Sequence, residues 1–265
     1  MRLLVLGTSS SAGVGHREPE AVAWPWLVGQ ELSDAIGEPV EVEHLRIVPV
    51  GPRPVPMAME KVDSFEPDVV VFSFGAVLCA VATVSDRVRQ LFGARAYNLF
   101  RKAEQKFDAV TGNTAVRPKR IARWARWLAR HTIGVATVAS YEEVTRVERE
   151  ILQELARREG ILVVVACEPD LPSAVVRDNP DGNRILGRLR AEMEAEGRSH
   201  HFLIADYTSR FDIPDRDELY LSDAMHKSVR GHRAQADVVL ETLLRAPSPY
   251  ARTNTKVTKD TKVRS

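Results

Sequence analysis

The sequence predicts a three-layer α/β/α domain around a parallel sheet of about five strands, and three observations lead there. The apolar runs are short, rich in β-branched residues and continuous rather than alternating, as expected of strands buried on both faces. Segments of helix length with a 3.6-residue apolar period separate them. Strand and helix patterns alternate along the chain, which calls for right-handed crossovers over one sheet.

The first strand is Leu3–Leu6, followed by a loop of small residues, Gly7-Thr8-Ser9-Ser10-Ser11-Ala12-Gly13-Val14-Gly15. A helix starts near Pro19-Glu20, stacks Trp24, Val28, Leu32 and Ile36 on one face, and stops at Gly37 with Pro39 behind it. The second and third strands are Val40–Leu45 and Asp68–Phe74, the latter leading into Gly75-Ala76-Val77-Leu78. Helices are expected over 79–92 and 117–131, so residues 76–139 hold more helix than one crossover needs and should cap one end of the sheet. The segment 140–158 alternates Glu142, Glu143, Arg146, Glu148, Arg149 and Glu150, the pattern of a salt-bridged exposed face. Strand four is Ile161–Ala166, a helix spans 182–196, strand five is His201–Ala205, and a last helix covers 231–246. Residues 1–246 read as a single domain, and 247–265, polar and without apolar period, as a flexible basic tail.

Across 265 residues, 37 Lys and Arg nearly cancel 36 Asp and Glu, so no overall field points to nucleic acid. Hydrophobic residues make up 44% and charged residues 28%, the balance of a globular chain. Leu3–Leu6 is shorter than the roughly 7 to 15 apolar residues of a secretion signal. No stretch approaches the roughly 20 apolar residues that span a bilayer. Cys79 and Cys167 each lie inside an apolar run, which fits a reducing compartment. The expectation is a cytoplasmic protein without stable membrane insertion. No His, Cys and carboxylate cluster has metal-ligand spacing, so neither metal nor cofactor is expected.

In open parallel sheets ligands sit beyond the carboxyl ends of the strands. The loop after strand one admits three readings. It is a phosphate cradle, although it lacks the Lys-Ser/Thr pair of a P-loop and the G-x-G-x-x-G spacing of a dinucleotide site. It is a plain turn of small residues. Or one of its serines is a nucleophile on a strand-to-helix turn, with backbone N–H groups aimed at an incoming oxyanion. The third reading needs a base, and Asp223-Ala224-Met225-His226 offers one: a carboxylate three residues before a histidine can accept its Nδ1–H and orient Nε2. His16, His44, His131, His200, His201 and His232 have no such spacing and read as surface or structural residues.

These residues resemble the SGNH/GDSL hydrolases, whose fold is of the flavodoxin-like kind. The family's first block, Gly-Asp-Ser-x-x-x-Gly, matches Gly7-Thr8-Ser9-Ser10-Ser11-Ala12-Gly13, with Thr8 in place of the Asp. Its last block, Asp-x-x-His followed by Gly-His, is similar to Asp223-Ala224-Met225-His226 and Gly231-His232. Pro67–Gly75 resembles the strand into the third block, and Trp24-Pro25-Trp26-Leu27 the first helix. The resemblance implies Ser9 as nucleophile, His226 as base and Asp223 as its orienter. It implies an oxyanion hole of the Ser9 and Gly51 N–H groups, with Gly75 as a further candidate. The third block departs from the family's Gly-x-Asn-Asp: Val77 stands where the family's asparagine donates. A substitute donor would come from Asn98 or Asn113.

The implied activity is hydrolysis of a small carboxylic ester or acyl substrate through an acyl-enzyme on Ser9. An acyltransferase using the same triad, a non-catalytic binding protein of this fold and a nucleotide-binding protein stand as alternatives. Residues 117–130 carry six basic groups and two tryptophans without an acid, as an ordinary packed helix or as a lid that meets an anionic or acyl substrate or a membrane surface. Glu168 and Asp170, flanking Pro169 after strand four, are expected to line the pocket. Oligomeric state leaves no mark in the sequence.

Overall fold

The computed structural model describes residues 1–75, 77–111, 124 and 128–246, with side chains given for these except 107–111. Five parallel strands form one sheet in the order β2-β1-β3-β4-β5: β1 (Arg2–Gly7), β2 (Glu41–Arg46), β3 (Val69–Ser73), β4 (Leu162–Cys167) and β5 (Leu203–Asp206). β1 is flanked on both sides, pairing Leu3 with both Val42 and Val69. Its neighbours come from opposite directions of winding, so the gap beyond Gly7 and Ser73 is the switch point at which such sheets bind ligands.

Alternate residues of the strands feed two cores. Leu4, Leu6, Val70, Phe72, Val163 and Val165 face one cluster, while Leu3, Val5, Val69, Val71, Val164 and Ala166 face the other. The first is covered by α3 (Pro54–Phe65), α6 (Tyr141–Ala156) and α8 (Gly182–Ser199), the second by α2 (Trp24–Ile36) and α10 (Val229–Arg245). The remaining helices are short α1 (Pro19–Val22), α4 (Val77–Ala80), α7 (Ser173–Asp178) and α9 (Thr208–Phe211), and the long α5 (Val84–Thr111). A 3-10 turn at Arg216–Leu219 precedes the Asp223 loop.

Three departures from expectation have local causes. α3, which is not among the helices placed from the sequence, starts on Pro54 with Pro56 in the same first turn, where a missing N–H costs nothing. The helix expected over 79–92 is two helices, and α5 runs on to Thr111 across a break at Gly93 (φ 79°). β5 begins at Leu203 because His201 takes a left-handed conformation (φ 59°) closing α8, with Phe202 N–H donating to Gly197 O at 2.9 Å. Gly37 (φ 72°) ends α2 where the sequence places the stop. Cys79 and Cys167 are buried and no disulfide joins them. Among the described residues no helix is long and apolar enough to cross a membrane, and no cluster of metal-ligating side chains occurs. The tail 247–265, Asn113 and most of 117–130 lie outside the described residues.

Candidate active site

The chain leaves β1 at Gly7 and turns at once. Ser11 N–H donates to Thr8 O at 3.3 Å, and Ser11 Oγ–H donates to the same oxygen at 2.9 Å. A Cβ at Gly7 would lie 2.1 Å from Ser11 Oγ, so only glycine lets the turn fold back this tightly. Ser10 and Ser11 are buried, whereas Ser9 between Thr8 and Ser10 is half-buried. No hydrogen bond from another described residue reaches the Ser9 side chain.

The inner serines are structural. Ser10 Oγ–H donates to Glu168 Oε1 at 3.0 Å and accepts from Thr8 Oγ1–H at 2.9 Å. Ser11 Oγ accepts from His44 Nε2–H at 2.9 Å, since its own proton goes to Thr8. Burial, with the Arg46 charge beside it, pushes the His44 pKa down to about 4, so this imidazole is neutral. His16 Nε2–H donates to Lys227 O at 2.9 Å, and His232, buried, accepts from Trp24 N–H at 3.5 Å. Burial and the Lys227 charge hold His232 at about 3.

Asp223 and His226 meet. His226 Nδ1 lies 2.7 Å from Asp223 Oδ2, while Asp223 Oδ1 accepts the N–H groups of Met225 (2.9 Å) and His226 (3.0 Å). Ala224 takes a left-handed φ of 57° to close this turn. Burial alone would raise the Asp223 pKa, but the bonds from the His226 ring and the two backbone N–H groups outweigh it and hold it at about 2. Asp223 is therefore an anion that fixes the ring and leaves Nε2 as its outward nitrogen.

Ser9 and His226 are not hydrogen-bonded to each other, yet their immediate neighbours share one carboxylate. Glu168 holds Ser10 through Oε1 and faces Lys227 Nζ through Oε2 at 3.6 Å, and both side chains are only 4% exposed. Ser73, ending β3, also donates to Glu168 Oε1 at 3.4 Å. Glu168, expected to line a pocket, is instead a buried link between the two loops. Asp170 accepts from Arg190 at 2.9 Å. Lys227 and Arg190 were not marked by sequence, since their burial depends on distant elements; the one local hint is a lysine directly after the histidine of Asp-x-x-His.

The expected oxyanion donors meet a different arrangement. Gly51 N–H donates to Glu143 Oε1 at 2.9 Å, and Gly75 N–H donates to Glu148 Oε1 at 2.6 Å. Both glycine N–H groups are thus engaged by side-chain carboxyl oxygens of α6. Burial, with the charge of Glu168 adding to it, drives the Glu148 pKa up to about 8 against the Gly75 bond. Its Oε2 is buried without a partner beside a cavity of about 10 Å³ lined by Thr8, Ser73 and Gly75. Val77 opens α4 and packs on the apolar core rather than standing in for an oxyanion donor. Asn98 is exposed on α5, and Asn113 lies outside the described residues. A larger cavity of about 440 Å³ opens beside Asp223, lined by Val81, Val84, Arg130, Val175 and Met225.

The chain shares this fold, a five-stranded parallel sheet between layers of helices, with solved structures that include esterases. Among solved structures the chain is similar to TesA, with a TM-score of 0.54 at 15% identity over 92% of this chain and 98% of that one. It is similar to a catalytic mutant of Axe2, an acetylxylan esterase from Geobacillus stearothermophilus (TM-score 0.55, 15% identity, 91% and 93% covered). It is also similar to the psychrotrophic esterase EstA from Pseudoalteromonas sp., in a structure inhibited by monoethylphosphonate (TM-score 0.53, 11% identity, 92% and 97% covered). No protein-family model and no curated protein sequence matches the chain.

Proposed function

We propose that the protein is a serine esterase, with Ser9 as nucleophile, His226 as general base and Asp223 as the orienter of His226. The observation that carries this reading is the 2.7 Å Asp223–His226 bond in a loop tied, through Glu168, to the turn presenting Ser9. Ser9 Oγ attacks the ester carbonyl carbon, and its proton passes to His226 Nε2. The tetrahedral oxyanion collapses, the bond to the alcohol oxygen breaks, and His226 returns the proton to the departing alkoxide. Water then attacks the acyl-enzyme with His226 again as base, releasing the carboxylic acid and restoring Ser9. The cavity beside Asp223 is the space for one arm of the ester. An acceptor alcohol in place of that water makes the same acyl-enzyme an acyltransferase.

A second reading has its own support. Of the three expected backbone donors, Ser9, Gly51 and Gly75, the two glycines donate to Glu143 and Glu148 of α6, and Val77 packs on the core. A donor is worth roughly 3 kcal/mol of transition-state stabilisation, so a site short of two would turn esters over at least about 10⁴-fold more slowly and act chiefly as a binding site. Fluorophosphonate labelling followed by peptide mapping separates the readings. The esterase is labelled at Ser9, and Ser9→Ala abolishes both labelling and p-nitrophenyl acetate hydrolysis while Ser10→Ala retains the label. An unlabelled wild-type protein selects the binding protein.

A further inference from the structure

We infer that Glu168 is a positioning residue that, through Lys227, locks the turn carrying Ser9 to the loop carrying Asp223 and His226. Its geometry stands apart from the esterase reading; its catalytic consequence rests on that reading.

Glu168 leaves the carboxyl end of β4 and spreads its two oxygens across three other segments. Oε1 takes Ser10 from the turn after β1 and Ser73 from the end of β3, and Oε2 faces Lys227 beside the base. Its own backbone is pinned, since Arg190 Nε–H donates to Glu168 O at 3.0 Å while the same guanidinium reaches Asp170 and Thr208. Lys227 is confined as tightly. Its ammonium lies 4.5 Å from the centre of the Tyr220 ring and 5.5 Å from that of Phe211, where the ring faces are electronegative. Burial alone would favour the neutral amine, but Tyr220 and Glu168 outweigh it, and Lys227 stays a cation. His16 holds the Lys227 carbonyl from the other side.

Two fully buried ions are an odd choice for stability, because an apolar pair of the same volume does as well or better in such places. Geometry is what this pair provides. Ser10 and Lys227 are the residues next to Ser9 and His226, so any slip between the two loops must break a charged contact in a dry interior. Displacement of a reacting group by about 1 Å costs on the order of 100-fold in rate.

The test compares wild-type protein with Glu168→Gln/Lys227→Met, which removes both charges at nearly constant volume and leaves no ion unpaired. Native-state hydrogen exchange over residues 8–11 and 222–228 is measured with the melting temperature and with kcat and KM on p-nitrophenyl acetate. The expected result is a folded variant whose exchange rises in both loops but not in α6, with kcat down about 100-fold and KM within about two-fold. A folded variant with unchanged exchange in the two loops overturns the proposal, as does raised exchange with wild-type kcat. If wild-type protein turns over no ester, raised exchange upholds the lock while the esterase reading falls. Should the double variant not fold, Ser10→Ala removes the uncharged half of the link: faster exchange at 8–11 supports the lock, and unchanged exchange there overturns it.

Discussion

Asp223 takes three hydrogen bonds on two oxygens, all from within its own turn. An amide in its place keeps the shape and loses the acceptor that selects the Nδ1–H tautomer. Asp223→Asn is therefore expected to lower kcat on p-nitrophenyl acetate by about 10⁴-fold with little change in KM; an equal loss from KM alone would mean that Asp223 binds substrate instead. The sign of its titration matters as well. A carboxylate held at about 2 against an ordinary 3.8 contributes stability above pH 3.8 and loses it as pH falls through 2. Any fall of activity between pH 5 and 8 must then come from another group. This pair was legible in the sequence because its contact is local: three residues of spacing suffice for it. Lys227 and Glu168 were not, because their burial is set by elements distant in the chain.

α6 is the element on which the two readings of function divide. Ser140 caps it, its side chain accepting from Glu143 N–H at 3.1 Å, and Val144, Val147, Ile151 and Leu155 seat it on the core. That seating carries Glu143 to Gly51 and Glu148 to Gly75. Glu143→Ala leaves Gly51 N–H free for an oxyanion. If Ser9 is catalytic, kcat should rise, by as much as about 100-fold; unchanged kcat with strong Ser9 labelling would show that the oxyanion is held elsewhere. The sequence showed α6 as a salt-bridged helix and its exposed face agrees, with Arg146 and Glu150 paired at 2.8 Å. Glu148, read there as part of the exposed face, points inward. Four residues of apolar neighbours on its side of the helix were the available signal, and the charge masked it. α3 was hidden by a similar conflict, prolines at a position where a helix tolerates them.

At the scale of the molecule, the buried Glu148 and His232 and the half-buried His44 set an opposed pH dependence. His44 and His232 titrate at about 4 and 3 when folded and near 6.5 unfolded, so their contribution is complete above pH 6.5 and drains away as pH falls toward 4. Glu148 works the other way: raised to about 8, it contributes fully below its unfolded value near 4.5 and is lost as pH rises through 8. Melting temperature should peak near pH 6.5. Glu148→Gln, which keeps an oxygen for Gly75 N–H, should flatten the decline between pH 6.5 and 8.5. Thermal melts from pH 4 to 9 check this, and a wild-type melting temperature still rising from pH 7 to 8.5 would refute it. The sheet itself was legible because five buried strands leave continuous β-branched runs. The strand order and the facing of the loops depend on crossovers that no single segment encodes.

The turn after β1 and the entrance to α10 are stitched by contacts between residues far apart in the chain: Ser10 to Glu168 across 158 positions, His16 to Lys227 across 211, and Trp24 to His232 across 208. These contacts join segments that only the docking of α10 on α2 brings together. On the esterase reading, reactivity toward esters would then report that docking, and a proteolytic cut that releases α10 would abolish it while leaving the Ser9 turn in the chain.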